Sequence, residues 1–383
     1  MRALIALAVL STSCTKLLGI TDPTPAGGGD GGPDDAIPDS SIDAPPPCTT
    51  PTAFKPDIVF DTGEPALGFA LADFDAGGVD DIAIATGDDV SIFHGDGTGN
   101  FGGDGQKIKI PTAADDLAVD DYDSDGDDDL ALWTVGGTAV IVRRQNRQLN
   151  PPVEAEQPLA GPFTAVERVL AGQLDGNLRA DLLVHDGTGS RVYTSNLGTP
   201  GTFGRDAALV GTGADDLLEL RQVDNAQRAD AAFVNAGAVK LSLQTTAFGA
   251  LSTIATGATG RGAVFGKFDN DAFPDLVVAT AGGLVLYRQN TAQPGTFTMT
   301  GVISPLTGNA LAAADVNGDG LEDIVVPTGF VLQCAPPATG GPGTFTQFEA
   351  ANNAGQVVLR DLDGNAKLDL VRVDGNNLRV RLQ

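Results

Sequence analysis

Two nine-residue stretches carry the densest set of side chains able to do chemistry: Asp121-Tyr122-Asp123-Ser124-Asp125-Gly126-Asp127-Asp128-Asp129 and Asp315-Val316-Asn317-Gly318-Asp319-Gly320-Leu321-Glu322-Asp323. In both, oxygen-bearing side chains stand at positions 1, 3 and 5, glycine at 6 and aspartate at 9. Side chains at alternate positions of a tight turn converge on one point, and the glycine permits the bend. A hard cation such as calcium takes roughly six to eight oxygens at about 2.4 Å, which such a turn can supply. Position 7, Asp127 or Leu321, adds a backbone carbonyl, and Asp129 or Asp323 closes the site.

Five further loops repeat the pattern with different completeness. Asp361, Asp363, Asn365 and Asp369 keep all four side-chain oxygens, with Lys367 at the carbonyl position. Asp73, Asp75 and Asp81 remain in the first loop, but Gly77 replaces the ligand at position 5. The third loop offers Gln173, Asp175, Asn177 and Asp181. The fourth, Gln222, Asp224, Ala226 and Asp230, is the most degraded. The fifth keeps Asp269, Asp271 and Asp275 behind Lys267 in the first place. The expectation is about three good calcium sites and up to about three weaker ones. Without a cation, the same Asp and Asn side chains would serve only to hold the turns through side-chain-to-backbone hydrogen bonds.

The elements that position these loops follow from their spacing. The final aspartates are Asp81, Asp129, Asp181, Asp230, Asp275, Asp323 and Asp369, separated by 48, 52, 49, 45, 48 and 46 residues. That regularity marks a repeated supersecondary unit, and a period near 50 suits a propeller blade. Each final Asp opens a run such as Ile82-Ala83-Ile84-Ala85 or Leu276-Val277-Val278, whose continuous apolar character predicts a strand buried on both faces. Gly136-Gly137, Gly282-Gly283 and Asp374-Gly375 then read as hairpin turns. A second landmark, Phe101, Phe203, Phe248, Phe297 and Phe345, precedes the next loop by 20, 19, 19, 18 and 16 residues, with Leu149 in its place in the second repeat. Phe54 lies 19 residues before Asp73, whereas the seventh repeat ends before reaching the landmark. The predicted fold is therefore all-β, a seven-bladed β-propeller in which the N-terminal segment Phe54 to Asp61 supplies the outer strand of the last blade and so removes a free edge.

With their Phe-Gly pairs at 101-102, 203-204 and 248-249, these loops resemble the FG-GAP or VCBS repeats of integrin α chains and of many bacterial surface proteins. The resemblance covers about residues 53–383 and implies a calcium-binding propeller that mediates recognition or adhesion at a cell surface.

The chain begins Met1-Arg2 followed by an apolar run from Ala3 to Leu10, too short to span a bilayer and typical of an export signal. Leu10-Ser11-Thr12-Ser13-Cys14 resembles a bacterial lipoprotein signal in which Cys14 is acylated, although Leu10 stands one place further from the cysteine than in that pattern. An ordinary secretory signal is the other reading, and both place the protein outside the cytoplasm. Residues 1–13 are thus read as the signal and 14–52 as a tether rich in Gly, Pro and Asp, with too little apolar surface to offset chain ordering. The propeller occupies 53–383. If Cys14 carries lipid, Cys48 and Cys334 remain as an even pair for a disulfide pinning the tether, or as two free thiols.

Fifty acidic against 23 basic residues, a formal charge of −27, disfavour nucleic acid and favour divalent cations. Gly97-Thr98-Gly99-Asn100-Phe101-Gly102 matches a dinucleotide-binding string, but no helix follows it and a hairpin explains it. The two histidines, His94 and His185, fall in different repeats and suggest no catalytic triad. Trp133 and His185 share one repeat position, which reads as filler between blades or as a sugar-stacking platform. The sequence thus points to a monomeric, non-catalytic surface propeller, anchored by lipid to the outer membrane, that binds a protein or glycan. A lectin, and behind it a propeller-type polysaccharide lyase or hydrolase, are the rival classes.

Overall fold

Short apolar runs bounded by acidic turns on one side and glycine turns on the other have few options except antiparallel strands. The computed structural model describes residues 54–383 apart from 102–106, 147, 150, 178, 225, 227, 246, 270, 309–310, 327–328, 336–343 and 350–356. In it the runs form seven four-stranded sheets set in a ring, a seven-bladed β-propeller, and no helix occurs among the described residues. Residues 1–52, with Cys14 and Cys48, lie outside the described residues; Cys334, on the third strand of blade 6, is disulfide-bonded.

Blade 1 comprises Gly68–Ala72, Asp81–Ala85, Val90–Phe93 and Lys107–Ile110, and blades 2 to 6 repeat this meander. In every blade the acidic loop joins the first two strands, and its final Asp is paired in register with the last residue of the first strand. Those partners are Ala72, Asp120, Gly172, Arg221, Gly266, Ala314 and Arg360. All loops therefore sit at the same end of their strands, because the loop is the fixed connection of the repeat. The first strands of neighbouring blades touch around most of the ring and line its centre.

Sheets stacked face to face bury the second strand on both sides, so that Asp81–Ala85 and Asp129–Trp133 are buried at every residue. The apolar side chains fall into seven clusters, one for each pair of adjacent blades. Trp133 belongs to the cluster between blades 2 and 3 and is 2% exposed, which makes it filler and not a stacking platform. Blade 2 is the irregular one: its outer strand is only Gln157–Pro158, and Leu149, in the place of the landmark Phe, is exposed while Val153 enters the core.

Blade 7 consists of Val357–Arg360, Asp369–Asp374, Asn377–Arg381 and, as outer strand, Ile58–Asp61. Ile58 faces Val380 and Asp61 faces Asn377, so the two ends of the propeller share one sheet as predicted. Phe54 stacks on Phe330 with ring centroids 5.4 Å apart. The Asp57 carboxylate accepts hydrogen bonds from Arg381 at 2.7 Å and Arg372 at 2.5 Å, with Arg379 3.7 Å away. Burial alone would raise its pKa, but these guanidinium bonds more than offset that and hold it below the usual carboxylate range. The last seam is closed by Phe69, Ile82 and Ile84 of blade 1 against Val371, Leu378 and Val380 of blade 7.

Candidate metal centres

The acidic loop has a shared framework beneath its variable side chains. Position 2 is apolar or aromatic and buried in every copy: Phe74, Tyr122, Leu174, Val223, Phe268, Val316 and Leu362. With position 2 turned inward, positions 1, 3 and 5 are left to face the turn's open side. The final Asp is buried and acts as a clamp on the backbone. Its Oδ2 accepts the N–H of position 2 in six copies, from Phe74, Tyr122, Leu174, Val223, Val316 and Leu362, at 2.8–3.0 Å. Its Oδ1 accepts an N–H at the end of the third strand, from Gly95, Gln145, Ser195, Gln244, Gln289, Gln333 or Gln383, at 2.6–2.9 Å.

Burial of these carboxylates away from water disfavours their charge, and backbone hydrogen bonds offset only part of that. Asp129 is raised to about 8, Asp275 and Asp323 to about 7, Asp181 and Asp230 to about 6, and Asp81 and Asp369 are raised as well. In loop 2, Asp123 and Asp125 add like-charge repulsion on Asp129. A divalent cation at the mouth of such a loop would replace the proton and permit ionisation.

Around the clamp the copies diverge. In loops 2 and 7 the side chains of Asp121, Asp123 and Asp129, and of Asp361, Asp363 and Asp369, bring ligand atoms within 4.8 Å of one another. In loop 1 the corresponding group is Asp75, Asp81 and His94. Asp73 instead receives the N–H groups of Gly77 and Gly78 at 3.0 and 2.9 Å, the turn-holding role that Asp121, Asp315 and Asp361 also take. In loop 6 the Asn317 amide donates to Asp319 Oδ2 at 3.0 Å, and Asp315, Asp319 and Asp323 do not converge as a carboxylate trio. Position 7 closes each of these turns by donating its N–H to position 5: Asp127 to Asp125, Leu321 to Asp319 and Lys367 to Asn365, at 2.8–2.9 Å.

Elsewhere protein groups fill the loop. Asn177 donates its amide to Asp175 Oδ2 at 2.8 Å in loop 3. The Gln222 amide reaches across loop 4 to the Ala226 carbonyl. In loop 5 Arg288 lies 3.0 Å from Asp269 Oδ2, and the Asp271 carboxylate accepts the Phe273 N–H at 2.8 Å. Arg144 similarly donates to Asp123 in loop 2 at 3.2 Å.

Two sets of residues escaped sequence reading. His94, Arg144 and Arg288 each precede the residue that caps the final Asp, and so reach the loop from the third strand. One step on, Gln289 Nε2 donates to Val223 O and Gln333 Nε2 to Phe268 O, at 3.0 and 2.9 Å, and Gln145 makes the same bond to Phe74 O. Each of these glutamines stitches its blade to the acidic loop of the blade before. The signal was available: the capping residue follows the final Asp by 14 in five of the seven blades.

The ring and its loops agree with what the chain resembles. Residues 267–326 match the FG-GAP-like repeat. Comparison with curated proteins returned no match. Among solved structures, an Agrocybe aegerita lectin described as recognising non-reducing terminal N-acetylglucosamine shares the fold with a TM-score of 0.54 at 17% identity, covering 74% of this chain and 80% of the lectin. BBS1N, solved in complex with ARL6DN, aligns at 0.53 with 10% identity over 83% of this chain and 92% of its own. The WD40 domain of Toxoplasma gondii coronin aligns at 0.53 with 11% identity and 87% coverage of each chain. At such identities the likeness concerns architecture, and loop chemistry has to be argued from this chain's own residues. The segment from Lys267 to Val326 runs from the start of loop 5 through the second strand of blade 6, and the chain is a seven-bladed β-propeller that carries an FG-GAP-like repeat there.

Proposed function

We propose that this protein is an exported propeller, tethered by a lipid on Cys14 at a bacterial cell surface, that binds calcium in its acidic loops and recognises a protein or glycan without catalysing a reaction. The observation that carries the calcium reading is the convergence of three carboxylates in loops 2 and 7, one of them the final aspartate, whose burial raises its pKa. Such a site is incompletely neutralised by protein groups, and a hard cation is the natural partner for it. The non-catalytic reading is supported by the one Ser-His contact among the described residues. His185 Nδ1 lies 2.9 Å from Ser190 Oγ, but both residues are fully buried and out of a substrate's reach. The acidic balance of the chain favours a neutral or basic partner over nucleic acid.

Calcium should raise the melting temperature by about 5 °C or more at saturation, and chelation should reverse it. An unchanged melting temperature on chelation would refute the metal role. A glycan array probed with the calcium-loaded propeller separates the two ligand classes: selective binding to a sugar terminus favours the lectin, and a blank array favours a protein partner. Release of product from a polysaccharide would overturn the non-catalytic reading.

A further inference from the structure

Loop 1 departs from the other acidic loops in two places that compensate each other. Gly77 at position 5 removes one oxygen from the pattern, and His94, just beyond the third strand Val90–Phe93, turns its ring toward the loop. Its Nδ1 lies 3.0 Å from Asp81 Oδ2 and 3.5 Å from Asp75 Oδ2. That nitrogen is buried and yet makes no hydrogen bond of acceptable geometry. The equivalent side chain in blade 2, Arg144, does donate one to its aspartate. Thus His94 is not an imidazole copy of the arginine pair. A nitrogen and an oxygen that come close while pointing past each other are arranged as two donors of one ion are.

The spacing agrees with that reading. Donors about 2.1 Å from a common metal stand about 3.0 to 3.4 Å apart at angles between octahedral and tetrahedral; the Asp81 distance falls in that range and the Asp75 distance lies just outside it, on an exposed side chain. Asp81 is buried beneath the site and His94 is partly buried at 15% exposure, whereas Asp75 has 47% of its side chain exposed, which leaves the solvent side open to water ligands. One imidazole with two carboxylates is a borderline donor set. It suits zinc, cobalt or nickel, whereas calcium takes oxygen throughout.

We infer that Asp75, Asp81 and His94 form a transition-metal site in blade 1, selective for divalent d-block ions and chemically distinct from the all-oxygen loops. It does not rest on calcium binding elsewhere in the ring. His94 would use the tautomer with its proton on Nε2, so that the buried Nδ1 lone pair meets the ion.

The test uses tag-free full-length protein loaded with excess calcium and titrated with cobalt(II). Visible d–d bands saturating at about one equivalent per chain are expected, with affinity falling about tenfold or more in His94→Gln and in Asp75→Asn. Asp75→Asn lies at an exposed position, so it remains informative if His94→Gln fails to fold. Asp363→Asn should weaken the calcium response and leave the cobalt bands untouched, which separates failure of this site from failure of the calcium reading. With copper(II), pulsed electron paramagnetic resonance should show coupling to one imidazole, and His185, the other histidine, is fully buried. Absence of the bands, equal affinity in both variants, or no nitrogen coupling would each overturn the proposal.

Discussion

Loops 2 and 4 occupy the same place in their repeats and share the same clamp, yet they complete their turns by different means. In both, the buried final Asp binds the position-2 N–H and the third-strand N–H. Around Asp230, the Gln222 amide crosses the turn to Ala226, and the Gln289 side chain of blade 5 holds Val223 from behind. Beside Asp129, the carboxylates of Asp121 and Asp123 converge. The residue of blade 3 that corresponds to Gln289 is Ser195, whose hydroxyl makes no such bond. Folding of a blade and binding of an ion are therefore separable properties of one motif. The clamp serves the first, and positions 1, 3 and 5 serve the second.

If that separation holds, the largest effects belong to the clamp in either loop. Asp230→Ala orphans two buried N–H groups and should cost about 4 kcal/mol in metal-free protein, with Asp129→Ala costing at least as much. Urea titration with chelator present measures both. A loss below about 1 kcal/mol for Asp230→Ala would mean that the clamp is itself a metal feature, and the comparison would collapse.

Acidity sharpens the contrast next. An unfolded aspartate releases its proton near 3.8, whereas folded Asp230 holds it to about 6 and folded Asp129 to about 8. Because the folded pKa values are raised, their stabilisation is complete below the unfolded value and is lost as pH rises through the folded one. Chelated protein should lose stability between about pH 4 and 8, on the order of 5 kcal/mol for the Asp129 site. Calcium competes with the proton, so its stabilising effect should grow over the same window. Melting curves at several pH values with calcium and with chelator would show the two profiles diverging; parallel profiles would contradict it.

A smaller effect is expected from the stitch. Gln289→Ala removes side-chain bonds to Val223 O, Pro274 O and the Gly295 N–H, at 3.0, 3.0 and 2.6 Å. The loss should be about 2 kcal/mol and the same with calcium or chelator, since loop 4 has its own internal partner. Calcium-dependent loss would place an ion where Gln222 lies.

The ring was legible because its signal is redundant: seven final aspartates at near-equal spacing, each opening an apolar run, define count and phase together. Phe54 placed the closing strand for the same reason, since one landmark was missing at the C-terminus and one was spare at the N-terminus. Blade 2 was less legible. Its landmark was already replaced by Leu149, and no pattern indicates that Val153 takes over the core position. The sites resisted reading further. Alternation of Asp and Asn locates a turn but does not say whether Asn177 and Gln222 will fill it from within. His94 stands alone in the sequence because its partners lie across a hairpin, beyond any local motif. The glutamine stitches join separate blades, and only the fixed offset from each final Asp hints at them.

The finest distinction is between side chains that face an ion and those that replace one. Asp123 sits beside both Asp121 and Asp129 and is also touched by Arg144, so its charge is partly balanced within the protein. Asp123→Asn should therefore keep the fold and trim the calcium-dependent gain by about 1 kcal/mol, because one charged ligand is lost from a site with several. Gln222→Ala should leave that gain unchanged, although it opens loop 4. The measurement is the difference in unfolding midpoint with and without calcium for each variant. A larger gain in Gln222→Ala would show that the amide had been occupying a latent metal position, and loops 2 and 4 would then differ only in whether an amide or an ion fills them.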